Sequence, residues 1–176
     1  MKKQTVKITF CAIMAALGTV FMLLSYFPYF TYAVPAVSGV LTLVVLIELK
    51  DKWPLFTYLV TSILVFILAE PESKLMYILF FGYYPFLKAI IERLNNRAVQ
   101  YIIKFAIFNA AVVAVYAILS LLFGVSIIET GQYGILGAVG VVLLANITFY
   151  LYDIVLVRVA NMYLRLLHPK IKKIFK

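Results

Sequence analysis

Apolar residues fall in six long blocks, at 7–25, 32–49, 54–69, 75–94, 101–123 and 134–157, separated by short polar stretches. Most blocks reach the ~20 residues that a helix needs to cross about 30 Å of hydrocarbon. The third would extend only about 24 Å at the helical rise, so it is expected to lean on a neighbour or sit under a thinned bilayer. Short connections favour antiparallel neighbours. The pattern predicts an all-α integral membrane protein, a compact bundle of six transmembrane helices forming one domain over 1–176. The sixth helix is expected to end near 157, and residues 158–176, "RVANMYLRLLHPKIKKIFK", to lie along the inner membrane surface as a basic amphipathic tail.

Composition agrees. Of the 176 residues, 65% are hydrophobic and 13% charged, whereas a soluble domain is nearer half apolar and a quarter charged. The start, "MKKQTVKITFCAIMAALGTVFMLL", has a basic head, but its apolar body outruns a signal peptide and no cleavage site is evident. It reads as a retained first helix. Sixteen Lys and Arg against seven Asp and Glu give a net charge of +9. In a membrane protein this excess is read as topology and contact with anionic lipid, not nucleic acid.

Charge placement fixes the expected orientation. Lys2, Lys3 and Lys7, then Lys50 and Lys52, then Arg93 and Arg97, then Arg158, Arg165, Lys170, Lys172, Lys173 and Lys176 all fall on one side of six alternating helices. The opposite loops carry Glu70, Glu72 and Glu129 with Lys74. The asymmetry places both termini in the cytoplasm.

The fourth block, "FGYYPFLKAIIER", joins a membrane-like start to a charged end and holds a proline, Pro85. At helical spacing Tyr77, Phe81, Tyr84, Lys88 and Glu92 share one stripe; Ile78, Leu79, Phe86 and Ile90 take the other side, suited to lipid. The stripe is therefore expected to face protein or a cavity. Lys88 either snorkels and pairs with Glu92 or lines a substrate path, as intramembrane charges often do. Glu48, Lys88, Glu92, Lys104 and Asp153 all fall toward the cytoplasmic ends and form a candidate charge network, with Asp153 facing Lys88 or Lys104. Asn109 is also polar in an apolar segment, and Asn146 is the deepest strongly polar side chain of the sixth helix, available for an interhelical hydrogen bond or a ligand. Pro35 and Gly39 are expected to bend the second helix.

Chemistry is mostly excluded. A lone cysteine, Cys11, forms no internal disulfide and no cysteine-built metal site. There is no phosphate-cradling G-x-x-x-x-G-K-S/T loop and no H-E-x-x-H. The single histidine, His168, lies in the tail, and no Ser/His/Asp set can be assembled. The chain is read as neither an enzyme nor a cofactor carrier.

Ala12, Ala15 and Ala16 give an A-x-x-x-A spacing in the first helix; Gly134, Gly137, Ala138 and Gly140 form a second small-residue run. Together with "LGTVFMLLSYFPYFTYAVPAVSG" and "ILFFGYYPFLKAIIERLNNR", this small, basic, six-helix chain resembles the substrate-binding S components of energy-coupling factor transporters, and is similar to clostridial members of that group. The resemblance spans nearly the whole chain, and Ala12 and Ala16 are its clearest matching positions. It implies a bacterial plasma-membrane subunit that captures a vitamin-like ligand from outside. A membrane-spanning coupling subunit and two ATPase subunits would supply the energy, docking on the alanine face.

A capture site in the outer half would draw on Tyr32, Tyr77, Phe81, Tyr84, Tyr116 and Asn146, with Tyr29 in a lid. Aromatic walls with a few polar groups suit a flat heterocycle, and the outer carboxylates favour a cationic or neutral one. The same aromatic residues also suit interfacial anchoring. The competing expectation is a non-transport membrane scaffold or assembly subunit using the same small-residue faces. A self-contained ion- or proton-coupled transporter is less favoured, because the charges sit toward the inner side.

Overall fold

The computed structural model describes residues 2–27, 29–49, 52–123 and 134–171. They form α1 (Lys2–Leu23), closed by a 3-10 turn at Leu24–Tyr26, then α2 (Ala33–Leu49), α3 (Trp53–Leu68) and α4 (Pro71–Met76). A π turn follows at Tyr77–Phe81, then α5 (Tyr84–Ile91), α6 (Arg97–Phe123), α7 (Gly134–Leu166) and α8 (His168–Ile171). No strand occurs among the described residues. Glu129, Lys50 and the tail lysines Lys172, Lys173 and Lys176 lie outside the described residues, as do the side chains of Lys2, Lys3, Gly134 and Ala138.

Among the described residues, four segments are long and apolar enough to cross a membrane: Gln4–Tyr26, Pro71–Ile91, Arg97–Leu122 and Val139–Leu166. Their length and hydropathy are compatible with a multi-pass membrane protein. Ala33–Leu49 and Trp53–Leu68 are shorter apolar helices, each packed on α1 and on the other.

Two ends of the bundle are chemically distinct. At one, Lys7 stacks over the Trp53 ring and Glu48 meets α7 and α8. At the other, the chain between α1 and α2 is strapped to the end of α3 and the start of α4. Tyr26 donates to the Leu68 carbonyl at 3.0 Å, Ser73 to the Thr31 carbonyl at 2.7 Å and Tyr32 to Glu72 at 2.7 Å. Tyr29, at φ 75°, turns the strapped segment in the left-handed region that bulky residues rarely adopt. Glu70 caps α4 by accepting from the Ser73 amide at 3.1 Å, with Pro71 at the first helical position, where no N–H is needed.

The largest core cluster joins Leu43, Phe80, Tyr84, Phe108, Ala111, Phe149 and Leu156. Its rings are specifically arranged: Phe108 stacks on Phe149 with centroids 4.6 Å apart, and Phe80 meets both edge-on. Offset and edge-to-face pairs add to simple burial.

Two boundaries differ from expectation. The sixth helix does not stop near 157: α7 runs 33 residues to Leu166, about 50 Å at the helical rise. Nothing between 158 and 166 breaks a helix; the first proline is Pro169. The fourth block is not one kinked helix either. It is interrupted by the π turn and by a turn at Gly82 and Tyr83. A π turn inserts one residue and rotates everything beyond it. Phe80 is therefore drawn into the core, while Ile78 and Leu79, expected to face lipid, pack partly buried against neighbouring clusters.

Candidate functional site

Four charged side chains from α5, α6, α7 and the residue following α5 converge inside the bundle. Lys88 Nζ lies 2.5 Å from Asp153 Oδ1 and 2.6 Å from Glu92 Oε1. Lys104 Nζ lies 3.1 Å from Asp153 Oδ2 and 2.8 Å from Glu92 Oε1. Tyr84 completes the group, donating its hydroxyl to Asp153 at 2.6 Å. Lys88, Lys104 and Asp153 are buried, and Glu92 is the partly exposed member, its side chain 40% accessible. Two ammoniums and two carboxylates cancel, and each buried charge has at least two partners, which is the condition for tolerating charge in apolar surroundings. Every member of the quartet is engaged by an opposite charge.

Glu48 does not join this quartet, contrary to the sequence expectation. Its side chain is engaged elsewhere, accepting from the Tyr163 hydroxyl at 2.7 Å and lying 2.9 Å from His168 Nδ1. The reason is the continuation of α7, which carries Tyr163 and then His168 back to the end of α2.

Asn146 reaches Asn109 across α6 and α7. Each amide nitrogen faces the other's oxygen, at 2.8 Å and 3.1 Å. Asn146 is thus used by an interhelical amide pair.

The six residues proposed to bind a ligand are not gathered in one place. Tyr32 and Tyr116 do come together, with Glu72, at the strapped end. Tyr32 lies outside the long spans, and burial, with the Glu72 carboxylate and Tyr116 beside it, raises its phenol well above the ordinary value. Tyr84 spends its hydroxyl on Asp153. Phe81 packs edge-on against Tyr152, centroids 5.0 Å apart. Tyr77 is enclosed among Met22, Val34, Val65 and Ala69.

No family model, no curated protein and no solved structure matches this chain.

The three alanines of α1 divide. Ala12 and Ala16, four residues apart on one face, are exposed, as are Ile8, Ile13 and Val20, whereas Ala15 is buried against the bundle. A docking face on α1 can therefore use Ala12 and Ala16 but not Ala15.

Charge and aromatic pattern do not single out a belt of buried hydroxyls around the broken fourth block. Ser38 and Thr42 from α2, and Thr57 and Thr61 from α3, are all buried. The Tyr77 hydroxyl lies among those of Ser38, Thr42 and Thr61, and the Tyr152 side chain is near it. The signal was present as paired hydroxyls four residues apart in two adjacent helices, one face each. Gly39 lets α2 approach the break: a Cβ there would sit 2.4 Å from the Phe81 carbonyl oxygen and 2.9 Å from the Tyr152 hydroxyl. Gly82 serves the break similarly, since a Cβ there would press 2.6 Å from the Tyr58 ring.

Proposed function

We propose that this chain is the substrate-capture subunit of a vitamin or micronutrient uptake transporter, energised by a separate membrane-spanning coupling subunit and two ATPase subunits. In this reading the bundle crosses a bacterial plasma membrane six times with both termini in the cytoplasm. The basic end, with Lys7, Lys52, Arg93 and Arg97, then faces inward, as the distribution of positive charge favours. The strapped aromatic end faces outward.

The observation that supports this reading best is the uncovered face of α1. Ala12 and Ala16 present small side chains with no partner helix over them, while Ala15 is packed inside. Small residues allow two membrane helices to approach closely, where dispersion drives association. A coupling subunit is the partner this face fits.

The test is co-purification. The tagged chain should bring down a coupling subunit and two ATPases, and Ala12→Trp or Ala16→Trp should weaken that association while leaving small molecules retained by the chain, read by mass spectrometry, unchanged. Association unaffected by tryptophan at both positions counts against the docking face.

A second reading, a non-transport scaffold, is favoured by one observation: Tyr84 and Asn146 spend their polar groups on Asp153 and Asn109. Recovery of cell-wall or cytoskeletal partners, with no retained small molecule, would select it.

A further inference from the structure

Beyond the charge quartet, the last two turns of α7 have two distinct faces. On the inner face Tyr163 is buried and donates to the Glu48 carboxylate at 2.7 Å. His168 Nδ1 lies 2.9 Å from the same oxygen, so the rotation of this helix end is pinned against α2. At 3.6 residues per turn, Arg158 and Arg165 stand roughly 140–160° round from Tyr163 and about 20° from each other. Asn161 and Met162 share their side of the helix, and all four are exposed. With Leu166 they line an open groove of about 380 Å³.

The groove carries uncompensated positive charge. The ion pairs among the described residues belong to the quartet and to Glu48 with His168, and none includes Arg158 or Arg165. None of residues 154–176 is acidic. An apolar strip leads away from the groove toward the middle of the helix. Met162, Val155 and Leu151, at near-heptad spacing, lie on one side and are all exposed. Depth also fits. The apolar span Val139–Leu166 has 28 residues, about 42 Å at the helical rise, against about 30 Å of hydrocarbon. The excess is about eight residues, and the first unpaired charge at this end of α7 is Arg158, so residues 158–166 reach the level of the lipid headgroups.

We propose that this groove binds an anionic phospholipid. Arg158 and Arg165 hold the headgroup phosphate by charge-assisted hydrogen bonds, Asn161 adds an amide donor, and an acyl chain runs along Met162, Val155 and Leu151. The two arginines are about 10 Å apart along the axis, a gap that their long stems can close on one phosphate from above and below. A basic pocket beside membrane helices is a recurrent headgroup site. The apolar strip favours a lipid over a free phosphate, and a choline headgroup, which carries its own cation, offsets the charge the groove attracts. The site rests on the chain's being embedded in a membrane and stands whether or not it docks to a coupling subunit.

The experiment is native mass spectrometry of the full chain in a neutral detergent doped with equal amounts of phosphatidylglycerol and phosphatidylcholine bearing the same acyl chains. Phosphatidylglycerol should be retained at least about fivefold over phosphatidylcholine, the effect of one basic group near an anionic surface. Arg158→Gln with Arg165→Gln should bring the two lipids level. Arg93→Gln with Arg97→Gln, exposed arginines outside the groove, should leave the preference intact. Equal retention by the native chain overturns the site, and that comparison needs no variant to fold. A preference that survives loss of Arg158 and Arg165, or that falls as far on loss of Arg93 and Arg97, also overturns it. Displacement of phosphatidylglycerol by millimolar inorganic phosphate overturns the lipid as occupant. Insertion into phosphatidylcholine vesicles separates the site from the reading beneath it. A chain that inserts but shows no preference has lost the site alone, whereas a chain that does not insert has lost both.

Discussion

Lys104 and Asp153, 49 residues apart in sequence, meet with Nζ 3.1 Å from Oδ2, and Lys88 closes on the other oxygen of the same carboxylate. Removing one member leaves the rest without full compensation. Asp153→Asn should destabilise the chain by about 3–5 kcal/mol, the usual cost of breaking a buried pair from one side. Lys88→Met with Asp153→Leu should lose much less than the sum of the single changes, because Lys104 keeps Glu92. A double-mutant cycle of unfolding in detergent measures the difference.

Glu92 gives the quartet a dependence on pH. It lies just beyond the long span, and burial alone would raise its carboxyl, but the Lys104 and Lys88 ammoniums beside it outweigh this and hold it below its ordinary value. A carboxyl depressed in the folded state contributes fully above its unfolded value of about 4.3, and that contribution is lost as pH falls through the folded value. With the side chain 40% accessible, solvent screens the pairs and the effect should stay below about 1 kcal/mol. Glu92→Gln should melt slightly lower than the native chain at neutral pH, and the two curves should converge in acid.

The Asn109 and Asn146 amides satisfy each other, so one alone is worse than neither. Asn146→Leu should cost about 1 kcal/mol, in the range of interhelical hydrogen bonds in membranes. Adding Asn109→Leu should recover part of that loss, read as a coupling energy from the four unfolding curves.

Two glycines should respond oppositely to alanine. At Gly39 the new Cβ would meet the Phe81 carbonyl, a backbone atom, at 2.4 Å, and overpacking of this kind costs about 1–3 kcal/mol. At Gly140 nothing lies within 4 Å, and alanine in a helix gains about 0.5–1 kcal/mol over glycine. Melting temperatures of Gly39→Ala and Gly140→Ala should move down and up respectively.

Much of this architecture was legible in the chain. Helical spacing placed Lys88 four residues before Glu92 and offered their pairing as one option, which the structure makes. Pairing of Asp153 with Lys88 or Lys104 followed from burial, since an ammonium in apolar surroundings needs a carboxylate. Glu48 was misassigned because its partners, Tyr163 and His168, depend on how far α7 continues, and no residue before Pro169 marks an end. The hydroxyl belt escaped because serine and threonine in membrane helices usually bond their own backbone, as Thr61 and Thr19 do.

The sequence by itself determined that the chain is helical, that it belongs in a membrane, and that its buried charges would seek one another. Those outcomes follow from hydropathy and from the cost of an unpaired charge in a low dielectric, both of which act locally and are written in residue type. Tertiary structure alone decided that Glu48 turns to Tyr163 and His168, that Asn146 meets Asn109, and that Ala15 turns inward while Ala12 and Ala16 remain exposed. These depend on how neighbouring helices rotate and how closely they approach, and rotation and approach are set by the packing of many side chains at once.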